Sequence, residues 1–116
     1  MASTFKNAPS TGSQTITSTN QASPDTIYGP VPAATTAVVF DGTVANTDTS
    51  GLADQVVTVS IKRSGGTYDV TLQTITIPFG SSFQLPKMVL MTGEYLCMNA
   101  SVSGKLAAKI HLVELS

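Results

Sequence analysis

At 116 residues, with six Lys/Arg against seven Asp/Glu, the chain carries a formal charge of −1, and only 11% of its residues are charged, well below the roughly 25% of ordinary soluble domains. The length bounds it to a single domain, and the lack of a basic excess removes the main electrostatic term of phosphate binding, which argues against a nucleic-acid partner. A surface so sparse in charge lacks self-repulsion and suits a protein packed against neighbours.

In chain order, residues 1–25 read as an extended polar arm. They hold ten Ser/Thr, two Asn and two Gln, with Met1, Phe5 and Ile16 as the large apolar groups. Such a stretch buries too little surface to offset its ordering entropy and is expected to need a partner to hold it. Its first ten residues contain no apolar core of a secretory signal. No apolar run of the chain is longer than the four residues of 88–91, far short of the roughly 20 residues that span a bilayer, so no membrane role is expected.

Residues 26–116 read as one β-rich domain. In 25–32, Pro30 and Pro32 restrict a hinge that contains Tyr28. Residues 37–40 (AVVF) form a short buried strand, expected to end in a turn at Asp41-Gly42, and 43–54 form a polar surface loop. Gln55–Lys62 is the clearest strand: Val57, Val59 and Ile61 alternate with Thr58, Ser60 and Lys62. Ser64-Gly65-Gly66-Thr67 signals a hairpin turn. In the return strand Tyr68, Val70 and Leu72 share one parity, whereas Ile75, Ile77 and Phe79 share the other. That switch predicts a bulge or bend between Leu72 and Ile75.

Short segments follow around Phe83 and Leu85 and over 88–91, then a turn at Thr92-Gly93-Glu94. Leu96, Met98, Ala100 and Val102 alternate, Ser103-Gly104 turns, and Leu106, Ala108, Ile110 and Leu112 give a last strand. Helical spacing also fits part of 105–115, but the alternation and β-branched content favour a strand. The whole predicts an all-β fold: an antiparallel β-sandwich, Ig-like or jelly-roll-like, of seven to eight short strands behind an extended N-terminal arm.

Residues suited to chemistry are scattered. Asp41, Asp48 and Asp54 frame one loop without the spacing of a calcium motif. Cys97, the sole cysteine, and His111, the sole histidine, lack zinc-ligand spacing; a Cys97–His111 pair would need the two side chains within hydrogen-bond reach. Lys62, Arg63, Lys87, Lys105 and Lys109 are dispersed over strand ends and outward positions, where they protect edges. No phosphate loop, nucleophile elbow or spaced acid pair is present. The expectation is a non-enzyme with no catalytic residues, cofactor or metal.

Three stretches, VTVSIKRSGGTYDVTL, TIPFGSSFQLPKMVLMTGEYL and MNASVSGKLAAKIHLVEL, carry a resemblance. With their steps at Pro78-Phe79-Gly80-Ser81, Leu85-Pro86, Gly93-Glu94-Tyr95-Leu96 and Ser101-Val102-Ser103-Gly104, they resemble small virion proteins of tailed bacteriophages, over about half the chain. The resemblance implies a β-sandwich accessory subunit of the virus particle, assembled in the host cytoplasm. It would be a capsid decoration or cement protein or, alternatively, a neck or tail accessory subunit. Its partners would be the major capsid protein or other virion subunits and further copies of itself, as a trimer or higher homo-oligomer. On this reading the arm lies across neighbouring subunits, and Phe5, Ile16 and Tyr28 are its partner-binding anchors. A carbohydrate- or receptor-binding module, using an exposed Tyr28 and the loops 43–54 and 78–87, is the competing expectation.

Overall fold

A computed structural model describes residues 2–63 and 68–116, with 68–72 described in their backbone only. Among these residues there is no helix, hence none long and apolar enough to cross a membrane. The strands are β1 (Ser3–Ala8), β2 (Gln14–Ile16), β3 (Asp25–Tyr28), β4 (Thr36–Asn46), β5 (Gln55–Lys62), β6 (Tyr68–Ile77), β7 (Ser82–Gln84), β8 (Met88–Leu90), β9 (Tyr95–Ala100) and β10 (Leu106–Leu115). Sheet A runs β1-β10-β4-β7, with β2 also on β10 and β8 also on β4; sheet B runs β3-β9-β5-β6.

Every pairing is antiparallel. β1 and β2 lie end to end along β10, and β7 and β8 lie end to end along β4. The ten strands, somewhat more than the seven to eight expected, therefore make eight columns. The first column pairs with the last, the second with the seventh, the third with the sixth and the fourth with the fifth. This is one long antiparallel ribbon rolled into two sheets. It is the jelly-roll alternative, not the Ig-like strand order.

The period-two patterns set the core. β10 buries Leu106, Ala108, Ile110 and Leu112 and turns the residues between them outward. They pack with Val39 and Val44 of β4 and, from sheet B, Val57, Val59, Leu96 and Met98. The parity switch in β6 is a bulge: Gln73 pairs with Val59 and Thr71 with Ser60, leaving Leu72 as the extra residue. The hairpin expected at Ser64-Gly65-Gly66-Thr67, and the facing of Tyr68, Val70 and Leu72, lie outside what is described.

Asp41-Gly42 is not a turn. β4 runs through it for eleven residues and bulges there, because Val39 pairs with Leu112 and Asp41 with His111 while Phe40 is inserted between them. Gly42 lets Leu85 and Ile110 pack closely over the strand: a Cβ on it would lie 2.9 Å from Leu85 Cδ1 and 3.0 Å from Ile110 Cγ2, and these side chains would have to shift. The polar loop accordingly starts after Asn46 and not at Thr43.

The first 25 residues are also not an outlying arm. β1 and β2 are edge strands of sheet A, and β3 starts at Asp25, so the boundary expected at 25/26 falls inside the sandwich. An edge strand needs no apolar outer face, because its ladder satisfies the backbone groups on one side and water those on the other. The Asp25 carboxylate accepts the N–H groups of Thr17 (2.6 Å) and Ser18 (3.1 Å), which ties the polar stretch after β2 to β3.

The loop after β4 is organised by Asp48, which is 3% exposed. Its carboxylate accepts the backbone N–H groups of Ser50 and Gly51 at 3.0 Å and of Ala53 at 3.2 Å, and pairs with Lys105 Nζ at 3.2 Å. The backbone N–H groups of Gly51 and then Ala53 hold its carboxyl far below the usual carboxylate range, with a lesser contribution from Lys105. A lowered folded-state pKa adds stability above the unfolded value of about 4, and that stability is lost as pH falls below it. Thermal unfolding followed by circular dichroism should therefore show Tm dropping on the acid side of about pH 4. Asp48→Asn should lower Tm at neutral pH and flatten that acid limb; an unchanged acid limb would show that Asp48 does not set it.

Candidate assembly surface

Outward residues of sheet A line up across four strands. Phe5 of β1 pairs with Val113 of β10, Val113 with Val38 of β4, and Val38 with Val89 of β8, so the four form one apolar row across the outside of the sheet. Phe5 is 75% exposed and Val89 56%. The bulge in β4 adds Phe40 beside the row, its ring meeting that of Phe5 edge to face at 6.2 Å. The insertion of one residue thus turns a large aromatic outward. A contiguous apolar area of this kind, bordered by polar groups, marks a protein interface more often than it occurs by chance.

The next row is polar. Asn7, His111 and Asp41 are cross-strand partners on the same face, and His111 Nδ1 lies 2.6 Å from Asn7 Oδ1. Beyond them come Lys109, Thr43 and Gln84. The outside of sheet A is thus divided into an apolar end and a polar end, a division set by strand register.

The three residues expected to anchor an arm have separate fates. Phe5 stands exposed on the outside of sheet A. Ile16 is fully buried in its own chain's core, opposite Leu106, and is not available to a neighbour. The reason is phase: Leu106 faces inward, and Ile16, its direct partner in β2, faces inward with it. Tyr28 is half-buried, and its hydroxyl donates to the Glu114 carboxylate. Burial first, and then that hydrogen bond, hold the Tyr28 hydroxyl above its ordinary pKa. The Tyr28 bond chiefly, with Lys6, lowers that of Glu114. Lys6 Nζ completes the chain at 3.0 Å from Glu114 Oε1. Tyr28 therefore braces β3 against β10 and β1, and the exposed aromatic on which sugar recognition would rest is not present there.

Cys97 and His111 are on opposite outer faces. Cys97 pairs with Ser60 in sheet B, out of phase with the inward Leu96 and Met98, whereas His111 faces outward from sheet A. The core between two such sheets is about 10 Å thick, so no nucleophile–base pair is formed. Burial pushes the Cys97 thiol pKa up, which keeps it protonated and weakly nucleophilic. Asp41, Asp48 and Asp54 do not converge either. Asp41 is on the outside of sheet A, Asp48 closes its loop, and Asp54 accepts the Phe79 N–H at 3.4 Å. Among the described residues no three His, Cys, Asp or Glu side chains are grouped to hold a metal ion.

No protein-family model matches the chain, and no curated protein does. Among solved structures, it is similar to a chain described under Bacillus endospore appendages that form a family of disulfide-linked pili. Identity is 12%, the match covers 99% of this chain and 85% of that one, and the TM-score is 0.46. A likeness of that degree carries no argument about what this chain does.

Proposed function

We propose that this chain is a non-enzymatic structural subunit of a tailed-bacteriophage particle, and specifically a decoration subunit repeated over the capsid. The observation that carries the assembly reading is the apolar row Phe5–Val113–Val38–Val89 with Phe40 beside it on the outside of sheet A. The low charge, 11% of residues, fits a surface covered in use. The sequence resemblance supports the virion as the assembly. In this reading the row docks on the shell, and symmetry multiplies a modest contact into high avidity.

The test is binding of purified chain to particles made without it, located by immunogold labelling. Labelling over the head is expected; labelling confined to the neck or tail would move the subunit there, and no binding to any part would refute a virion role. Phe5→Ser should leave the fold unchanged. It should weaken attachment by roughly tenfold to a hundredfold, the effect of losing about 1.5–3 kcal/mol of buried phenylalanine. Unaltered attachment of that variant would show that the row is not the contact.

A further inference from the structure

β1 is held to sheet A almost wholly through its backbone. Of its six residues only Ala8 is buried. Its attachment is the ladder to β10, from Ser3↔Leu115 to Ala8↔Ile110, closed by the Ala2 and Ser116 backbones, which bond reciprocally at 2.7 and 2.9 Å. The next strand, β2, takes over the same side of β10 at Leu106–Ala108 and locks its own place with the fully buried Ile16. Between them 9–13 is largely exposed and includes Pro9 and Gly12, the latter at φ +66°. The chain thus has a built-in break point: β1 can leave β10 with 9–13 as hinge, and Ala8 is the one buried side chain it takes along.

Departure of β1 leaves a six-residue edge of β10, Ile110 to Leu115, with unpaired backbone groups. The strand that fits this edge is β1 of another copy. It would restore the same ladder, the Lys6–Glu114 ion pair, the Asn7–His111 contact and the Phe5–Phe40 ring contact. Exchange therefore forfeits no contact and links two subunits. Simple edge-to-edge addition onto a seated β1 is disfavoured. Lys6, the partner of the inward Leu112, places a charge on the inner side of the edge, and Pro9 follows the strand directly.

The hinge fixes the geometry. Five residues reach roughly 17 Å when extended, so only a copy abutting this edge can receive the strand, and the reciprocal arrangement is a two-fold pair. Concentration fixes when it happens. In dilute solution the chain's own β1 acts at a local concentration of roughly millimolar and outcompetes any other; on a crowded shell the neighbour's β1 is comparably close.

We propose that β1 is an exchangeable strand which, in the assembly inferred above and resting on that reading, pairs with β10 of an adjacent copy and joins subunits in pairs. The experiment uses the full chain carrying Asn7→Cys and His111→Cys, a directly paired position whose bridge forms within one chain when β1 is closed and between chains when it is exchanged. Under oxidation, non-reducing gels should show monomers from dilute protein and covalent dimers from particle-bound or millimolar protein. A mixture of the two single variants should give dimers containing one of each. Ser3→Cys with Leu115→Cys repeats the test at the far end of the ladder should the first pair fold poorly. Bridges that stay within single chains while light scattering shows oligomers, or while particles are decorated, overturn exchange and leave the assembly reading intact. Monomers at every concentration with bare particles overturn both.

Discussion

Replacing Ile16 with alanine is expected to destabilise the isolated chain by about 2–5 kcal/mol, although its neighbourhood reads as a polar tail. Ile16 is fully buried and faces inward beside Leu106, and nothing around it can collapse easily: Leu106 and Ala108 are held in β10 between β2 and β4. The backbone on either side is also committed, since Gly104 N–H donates to the Ile16 carbonyl at 2.9 Å and Ala100 N–H to that of Ser18 at 2.9 Å. Phe5→Ala, eleven residues earlier in the same polar stretch, should cost less than about 1 kcal/mol, because Phe5 is mostly in water. Urea unfolding of both variants measures the contrast, with an unchanged m-value as the check that the folded state is the same. Equal, small losses would mean that 14–16 is not part of the core in solution. The same reasoning means that deleting 2–24 removes a core residue along with an edge.

Gly29→Ala is expected to lose about 3 kcal/mol or more, combining backbone strain with a clash that cannot relax. Gly29 has φ +131°, and a Cβ there would lie 2.8 Å from the Glu94 carbonyl oxygen, 2.8 Å from Tyr95 Cα and 2.9 Å from Tyr95 Cδ2. Two of those three atoms are backbone, and that backbone is fixed: Val31 N–H donates to the Glu94 carbonyl at 3.1 Å and Gly93 N–H to that of Val31 at 2.9 Å. Gly80→Ala separates the two causes. Gly80 also has positive φ, +77°, but nothing lies within 4 Å of its added Cβ, so strain alone should cost about 1–2 kcal/mol. If thermal unfolding shows the two variants equally stable, the close approach of Gly29 to β9 is not what selects glycine there.

What the sequence made legible follows from where side chains alternate against a core. β5 and β10, whose inward residues are a regular file of Val, Ile, Leu and Ala, fall where the alternation places them. Even the bulge at Leu72 was visible as a change of parity. The bulge at Phe40 was not, because Asp41-Gly42 has the composition of a turn, and only the nearness of Leu85 and Ile110 shows that Gly42 serves packing. β1 was illegible for a related reason: an edge strand with one buried residue leaves almost no periodic trace. The available signal for β2 was local, the β-branched run Thr15-Ile16-Thr17 within a polar stretch. Of the candidate assembly surface, Phe5 stood out from sequence as one of three large apolar groups in a polar stretch. Val38, Val89, Val113 and Phe40 did not, since their alignment exists only after register joins four strands.

The rolled ribbon also dictates when this protein can become a protein. Ser3 waits for Leu115 and Ile16 for Leu106, so β1 and β2 have no partner until β10 has emerged. Such long-range closures place jelly rolls among slow folders, in the range of roughly milliseconds to seconds. Until β10 arrives, β1, β2 and β4 are all open edges at once, and the nascent chain has to pass through that state near its sister chains. β1, with a single buried side chain, adds the least to the core and is the strand expected to close last.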